Sequence, residues 1–222
     1  MNRIPTTHTG SLPRTPKVVQ LLLAKDKHPG ARSGELKQAV REAVEYVVAK
    51  QVECGLNIIN DGEQGRKDYT VHVMQRLTGY DGPSASPMGT GDEEFPELAQ
   101  LLKPLASPFQ HRPACSGPVD WKDWPAAQAD IDLAKRALQG VPAEDIFMTS
   151  PSPGQIARYL KNRYYKNDEE YIFALADVMR REYKAIIDAG FILVVAGVDC
   201  GFGTFADACR STRKSYGLNF NC

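Results

Sequence analysis

The chain has 222 residues, of which 42% are hydrophobic and 24% are charged, as is usual for a globular protein that buries a core. Lys plus Arg and Asp plus Glu number 27 each, so no excess of positive charge indicates a nucleic-acid partner. No apolar run approaches the roughly 18 residues of a membrane span, and the first residues lack the apolar core of a signal peptide.

The cysteines indicate a reducing environment. There are five of them, an odd number, and no two are spaced as CxxC. This pattern argues against a disulfide framework. We therefore expect a cytoplasmic protein without a membrane partner.

The first part of the chain alternates between strand and helix patterns. Residues 4–7 predict a short strand that ends in a turn of small residues. A long amphipathic helix is predicted after it, with Ser33 as N-cap and Gly55 as the C′ residue. Residues 56–59 predict a second strand, which ends at the acidic turn 60–63. Helix and strand follow each other without a hairpin signal, which is typical of α/β proteins.

The middle of the chain interrupts this alternation. Residues 79–112 are rich in Gly, Pro, Ser and acidic residues and predict an irregular excursion from the core. The alternation resumes after it, with a predicted third strand in 113–118, a helix in 126–139 and a fourth strand in 145–150. The excursion is therefore not expected to be a linker between domains.

A strong helix pattern covers residues 168–189, and Asn167 with Glu170 resembles a capping box. Gly190 is expected to end this helix, and the apolar run 191–195 predicts a fifth strand, buried in a parallel sheet. The predicted buried stripe of the helix is Ile172, Leu175, Met179, Tyr183, Ile186 and Ile187.

These elements predict an α/β fold in the form of a partial (βα)8 TIM barrel. A complete barrel needs eight βα units and typically about 250 residues. About five strands in βα order, with an irregular excursion after the second, amount to roughly half a barrel. We expect one incomplete domain in residues 1–205 and an irregular tail in residues 206–222.

Cys200 follows the apolar run 191–198, within the motif DCGFGTF. A thiolate at the tip of a buried parallel strand is a candidate metal ligand or nucleophile. The alternative is an inert buried cysteine, which is the commoner case. No His-x-Cys pair or HExxH motif accompanies it, so its spacing does not predict a complete zinc site.

Two further candidate segments follow the first two predicted strands. His8, Gly10 and Ser11 suit a substrate cradle, because glycine lets the backbone approach closely and the serine can hold a carboxylate. Asp61 and Glu63 flank a glycine and could bind an ammonium group or relay protons. The alternatives are a serine that caps its own turn and a solvated acidic turn.

Five motifs in this order resemble the cobalamin-independent methionine synthase C-terminal-domain family, which includes stand-alone epoxyalkane:coenzyme M transferase-like members. They are THTGSLPR (7–14), NDGEQGR (60–66), SPG (152–154), EYKAIIDAGFIL (182–193) and AGVDCGFGTF (196–205). Together they span nearly all of residues 1–205.

The resemblance implies a fold, a reaction and a metal. The family fold is a (βα)8 barrel, and its zinc is held by a His-x-Cys pair, a glutamate and a later cysteine, which Cys200 matches. Zinc activates a small-molecule thiol, whose sulfur attacks a methyl or other alkyl donor. In the synthases, the residues that match Gly10 and Ser11 bind the amino-acid part of homocysteine. The acidic residue that matches Glu63 helps to bind its amine.

The chain departs from the family after Leu193, where relatives continue into further strands that include the His-x-Cys pair. Here the fifth strand runs directly into the segment that resembles the eighth, as after an internal deletion. We therefore expect a methyltransferase-type protein of methionine biosynthesis that is inactive and does not retain zinc, with sheet edges open to self-association.

Two other functions stay open. The chain could be a relative of the thiol–epoxide, coenzyme M-type transferases, or a non-catalytic fragment that pairs with a full-length copy.

Overall fold

In a computed structural model of this chain, the residues described are 4–8, 11–28, 33–66, 71–83, 97, 112–143 and 145–196. Gly10, Cys200, the tail 206–222 and most of the excursion 79–112 lie outside them. The helices are α1 (Pro16–Lys27), α2 (Ser33–Glu53), α3 (Val71–Arg76), α4 (Trp124–Leu138), α5 (Pro153–Tyr159) and α6 (Asp168–Asp188). The strands are β1 (Ile58–Ile59), β2 (Asp145–Pro151) and β3 (Ile192–Ala196).

The strands form one sheet in the order β1-β2-β3. β1 and β2 are parallel, with Ile58 opposite Asp145 and Ile59 opposite Ile146. The central strand β2 is buried over its last five residues, as expected of a strand covered on both faces. The predicted α/β character is confirmed, since helices separate successive strands along the chain.

Two of the five predicted strands do not form as strands. Residues 4–7 carry no ladder, because the carbonyl of Thr6 accepts the N–H groups of both Asn57 and Ile58, and the Thr6 N–H donates to the Asn57 side chain. In 113–118, Cys115 makes an isolated parallel bridge to Asn162. The described residues thus contain three strands where five were predicted.

The ends of the long helices follow the sequence pattern. Gly55 has a φ of 75°, and the N–H of the next residue reaches the carbonyl of Gln51, as in a Schellman motif. Gly190, with a φ of 90°, ends α6 in the same way. Asn167 caps α6, because its Oδ1 accepts the Glu170 N–H at 2.8 Å. Among the described helices, none is both long and apolar enough to cross a membrane.

Two details of the helices differ from the sequence prediction. α1 was not predicted, although Thr15 and Pro16 form a typical N-cap and N1 pair, and the Thr15 hydroxyl accepts the Val18 N–H. In α6, Ile187 is 57% exposed, while Glu182 is buried. The buried face of α6 is therefore less apolar than its hydrophobic stripe predicted.

The described chain divides into two compact units. Unit 1 consists of Met1–Tyr69, Trp124–Ser150 and Arg181–Val195. In it, α2 packs against α1, α4 and β1. Burial of large apolar side chains, each worth about 1.5–3 kcal/mol, stabilises this unit. Its central core comprises Val44, Val48, Ile59, Ile131, Ala134, Leu138, Met148, Ile186 and Phe191.

Unit 2 consists of Thr70–Asp123, Pro151–Arg180 and Ala196–Cys222. An isolated antiparallel bridge joins Leu77 to Trp121 within it. Its buried apolar residues include Val73, Leu77, Val119, Ile156, Leu160, Leu175 and Met179.

A group of phenols, the tyrosine cluster, lies in unit 2, where Tyr80 and Tyr171 are buried and Tyr165 is partly buried. The Tyr171 hydroxyl donates to the carbonyl of Leu160 at 2.9 Å, and the Tyr80 hydroxyl lies 2.9 Å from it. The rings of Tyr165 and Tyr171 stack with centroids 5.5 Å apart. Burial raises the pKa of Tyr80 and of Tyr171, so both stay protonated near neutral pH.

Candidate functional site

The segment 60–66, which we term the acidic loop, begins where β1 ends. Loops at the carboxyl ends of parallel strands are where α/β proteins place their chemistry. Polar side chains at a protein surface are usually exposed, yet Asp61 and Glu63 are only 8% and 3% exposed. Two buried carboxylates in one loop need a structural or a functional explanation.

The backbone of the acidic loop turns through two left-handed residues. Gly62 has a φ of 63°, and a Cβ there would lie 3.0 Å from a methyl group of Val47. Glu63 has a φ of 53° and is the one non-glycine residue with a positive φ in the described part of the chain. Such a conformation costs of order 1–3 kcal/mol and is often found at functional sites.

Hydrogen bonds hold Glu63 in this conformation. Its N–H donates to Asp61 Oδ1 at 3.0 Å. Its carbonyl accepts from Arg14 Nη2 at 2.8 Å and from the Arg66 N–H at 3.0 Å. The side-chain oxygen Oε1 accepts the hydroxyl of Thr149, from β2, at 2.7 Å. The position of the Glu63 carboxylate is thus determined by both the loop and the neighbouring strand.

Arg66 is the buried cation of the site. Its Nη1 donates to the carbonyl and to the hydroxyl oxygen of Thr149, at 2.8 and 2.9 Å. Burial lowers the pKa of the Arg66 guanidinium, but nearby carboxylates raise it by more, so the net shift is upward. The carboxylates that act on it are those of Asp61, Glu63, Glu182 and Asp130. These carboxylates therefore stabilise the charged form of Arg66.

Both loop carboxylates keep one oxygen available. Asp61 uses Oδ1 for the Glu63 N–H, and Glu63 uses Oε1 for the Thr149 hydroxyl. Neither Asp61 Oδ2 nor Glu63 Oε2 has a hydrogen-bond partner among the residues that the structure describes. An ionised carboxylate has acceptor capacity at both oxygens, so each group can accept a further donor.

The segment before α1 is tied to the acidic loop. The Leu12 N–H donates to the carbonyl of Gly62 at 3.1 Å, and Gln64 Nε2 donates to the carbonyl of Leu12 at 3.0 Å. Ser11, directly before Leu12, is exposed, and Gly10 lies outside the described residues. The predicted cradle therefore has one described residue, Ser11, next in the chain to a residue that binds the loop.

His8 joins the same region from the side of α2. Its Nε2 lies 3.1 Å from Gln51 Oε1 and 3.2 Å from Asn60 Nδ2. The ring meets Phe147 edge-on, with centroids 6.4 Å apart. Three of the predicted site residues, His8, Asp61 and Glu63, are thus connected to the start of the acidic loop or lie within it.

The described residues do not fit a zinc site. Zinc needs at least three protein ligands, and no three His, Cys, Asp or Glu side chains of the described ranges are grouped to hold a metal. Of the described cysteines, Cys54 is exposed and Cys115 is buried in unit 2. Cys200, the predicted ligand, lies outside these ranges. No chemical step at the acidic loop is therefore assigned to a metal.

The sequence patterns missed Thr149 and Arg66 as parts of the site. Arg66 ends the NDGEQGR motif, and Thr149 lies near the end of the predicted fourth strand. In a parallel sheet, the fourth strand was expected to end at the same edge as the acidic loop, and this could have indicated Thr149 as part of the site. Their contact with each other spans 83 residues of sequence, so no local pattern predicted it.

The fold and the site together define an α/β protein with an acidic site at the end of a parallel strand. Residues 4–88 match the family described as cobalamin-independent synthase, catalytic domain. The resemblance to the cobalamin-independent methionine synthases that the five motifs predicted is therefore confirmed, whereas the likeness to the epoxyalkane:coenzyme M transferase-like members stays a prediction.

Individual methionine synthases show the same resemblance. A methionine synthase from Sulfolobus acidocaldarius is 23% identical over 191 residues, which are 86% of this chain and 50% of that protein. One from Saccharolobus solfataricus is 23% identical over 189 residues, 84% of this chain and 50% of that protein. The chain thus spans about half the length of the curated relatives it matches.

A solved structure shares the fold. It is that of a B12-independent methionine synthase from a Shewanella species in complex with selenomethionine. The TM-score is 0.59 at 20% sequence identity, over 85% of this chain and 50% of that one.

Proposed function

We propose that this chain binds the amino-acid part of a homocysteine-like thiol at the acidic loop, as a relative of the methyl-transferring synthases. The observation that carries the proposal is the pair of buried carboxylates, Asp61 and Glu63, each with one oxygen that lacks a partner among the described residues. An α-ammonium group has three donors and a positive charge, so it suits two such oxygens.

The local charge favours a cation at this position. Four carboxylates act on the guanidinium of Arg66, and Glu63 also binds Arg14 through its backbone carbonyl rather than its carboxylate. A bound ammonium would interact with the carboxylates of Asp61 and Glu63, and burial strengthens such an interaction. We further propose that Gly10 and Ser11 hold the substrate carboxylate, as the family resemblance implies, and that His8 borders the site.

The same argument favours an amino-acid thiol over the thiol of the coenzyme M-type branch. A mercaptoalkyl sulfonate is an anion without an ammonium group, so two carboxylates would repel it. No feature of the described residues favours the thiol–epoxide reaction. We therefore place the chain with the synthases rather than with that branch.

We also propose that this chain does not itself transfer a methyl group. In the sequence, Leu193 runs directly into the motif of Cys200, and no His-x-Cys pair lies between them. Residues 1–205 would then form an incomplete barrel domain, and Cys200 would be a single thiolate without enough partners to hold zinc. The open sheet edges would allow association with a second or full-length copy.

Ligand binding by the purified 222-residue chain tests the first proposal. We expect L-homocysteine to bind more tightly than 4-mercaptobutanoate, which lacks the amine, or 2-mercaptoethanesulfonate, as measured by calorimetry or NMR. In Glu63→Gln the carboxylate charge is lost. A hydrogen bond to a charged group is worth about 1.5–3 kcal/mol, so homocysteine affinity should fall about 10- to 150-fold.

Glu42→Gln is the matched control. Glu42 is an exposed residue of α2 that accepts a hydrogen bond from Gln38. It should bind homocysteine like the unaltered chain. Equal affinities for homocysteine and 4-mercaptobutanoate, or unchanged binding by Glu63→Gln, would refute the amine site.

Zinc content and methyl transfer test the second proposal. After purification with zinc and dialysis against a chelator, mass spectrometry should find far less than one zinc per chain. Transfer from a methyltetrahydrofolate donor to homocysteine should be undetectable. Stoichiometric zinc together with turnover would show that the metal site is complete.

A further inference from the structure

We infer that Thr149 is a positioning residue for the ammonium-binding carboxylate of Glu63, and that Arg66 determines which way its hydroxyl points. The inference rests on the proposed amine site at the acidic loop. It assigns neither residue a contact with the substrate. It explains why a loop carboxylate can present one defined oxygen.

The direction of the hydroxyl follows from the donors available. A guanidinium has only donors, so Arg66 Nη1, 2.9 Å from Thr149 Oγ1, must donate to that oxygen. A threonine hydroxyl has one proton of its own, and an ionised carboxylate can only accept. The proton of Thr149 therefore points to Glu63 Oε1, at 2.7 Å.

Arg66 is itself held by the backbone of the same threonine. Its Nη1 also donates to the Thr149 carbonyl, at 2.8 Å. Both contacts are buried, since Arg66 is 4% exposed and Thr149 is 6% exposed. With water excluded, the chain from Arg66 through Thr149 to Glu63 has one consistent set of donors and acceptors, and its bonds reinforce each other.

The sheet explains why Thr149 can act from outside the loop. β2 is parallel to β1, with Ile59 opposite Ile146. β1 ends at Ile59, whereas β2 continues to Pro151. Thr149 thus lies three residues beyond the last pair, beside the loop that follows β1. Groups supported by a central strand are held more precisely than groups that a loop alone supports.

The consequence for Glu63 is a fixed choice between its two oxygens. Oε1 is occupied by the Thr149 hydroxyl, so Oε2 is the oxygen available to a ligand. Without this bond the carboxylate could rotate, and a ligand would have to order it on binding. Ordering of a flexible side chain lowers affinity, and preorganisation avoids that loss.

Three variants of the full chain test the inference, each with homocysteine and with 4-mercaptobutanoate as ligands. Thr149→Val keeps the shape and removes the hydroxyl, so homocysteine should bind about tenfold more weakly, while 4-mercaptobutanoate is unaffected. Thr149→Ser keeps the hydroxyl and should bind homocysteine within about twofold of the unaltered chain. Thr78→Val, which removes a hydroxyl bonded to Pro118 in unit 2, should leave both affinities unchanged.

The outcomes separate this inference from the proposed function. If Glu63→Gln has no effect on homocysteine binding, the amine site itself is wrong. If Glu63→Gln weakens binding and Thr149→Val does not, the site stands and the positioning role is refuted. If Thr149→Val does not fold, Thr149→Ser tests the inference. A tenfold loss of homocysteine affinity in that variant, which keeps the hydroxyl, would show that the hydroxyl does not position Glu63.

Discussion

The acidic loop in unit 1 and the tyrosine cluster in unit 2 are both buried and polar, but they use their hydrogen bonds differently. In the tyrosine cluster, the Tyr171 hydroxyl donates to Leu160 and lies at hydrogen-bond distance from the Tyr80 hydroxyl. In the acidic loop, Asp61 and Glu63 each keep an oxygen without a partner among the described residues.

This difference separates a structural polar cluster from a candidate binding site. A buried group whose hydrogen bonds are complete stabilises the fold, and removing one partner leaves the other unsatisfied. A buried charged group with unused acceptor capacity is kept at a cost to stability, as functional sites often are. The two clusters should therefore respond differently to substitution and to pH.

The largest effect is expected from removal of the buried cation. In Arg66→Met, carboxylates of the acidic loop lose a buried positive charge that interacts with them, and loss of one partner of a buried charge pair costs about 3–5 kcal/mol. The free energy of unfolding in urea should fall by that amount. The control Arg180→Met removes an exposed arginine paired with Asp177, both more than 70% exposed, and should change it by less than about 0.5 kcal/mol. Equal effects of the two variants would contradict the buried role of Arg66.

An intermediate effect is expected in the tyrosine cluster. Tyr171→Phe leaves the Leu160 carbonyl and the Tyr80 hydroxyl without their shared partner, which should cost about 1–3 kcal/mol of unfolding free energy. Tyr80→Phe leaves the bond to Leu160 intact and should cost less. Homocysteine affinity should be unchanged in both. The reverse order of stabilities would mean that Tyr80, rather than Tyr171, is the central hydroxyl.

A smaller effect should come from alkaline pH. Burial raises the pKa of both Tyr80 and Tyr171 above the ordinary value of 10.0. Above about pH 10 the unfolded chain releases phenolic protons that the folded chain keeps, so stability should fall as pH rises, by up to about 1.4 kcal/mol per pH unit for each tyrosine. Below that pH these two tyrosines do not make the free energy of unfolding depend on pH.

Urea unfolding between pH 8 and pH 11 measures this slope, and Tyr171→Phe should reduce it. Arg66 adds nothing to it, because its pKa is raised further above an ordinary value that already exceeds this range. An identical alkaline slope in Tyr171→Phe and the unaltered chain would show that the phenol of Tyr171 does not stay protonated on folding.

Local patterns predicted most elements of the fold but only part of its strand content. The apolar periodicity of α2 and α6, with glycines at 55 and 190, placed both helices within a few residues. The strand predicted at 4–7 does not form, because Thr6 binds both the backbone and the side chain of Asn57, just before β1, and a period-2 pattern does not predict such side-chain contacts. Ile187 was predicted to be buried, yet the packing of α6 leaves it exposed.

The candidate site was predictable in the same partial way. Asp61 and Glu63 were selected because acids beside a glycine at a strand end suit an ammonium group, and both lie buried after β1. Their role as an amine site stays a prediction, as do the roles of His8, Gly10, Ser11 and Cys200.

The sequence alone predicted the α/β alternation, the helix ends and the resemblance to the cobalamin-independent synthases, because each depends on spacing within a few residues or on short motifs. The burial of the two carboxylates, their available oxygens and the contact of Arg66 with Thr149 came only from packing. These features depend on groups 83 residues apart that meet when two parallel strands pair, and a local pattern contains no information about such a meeting.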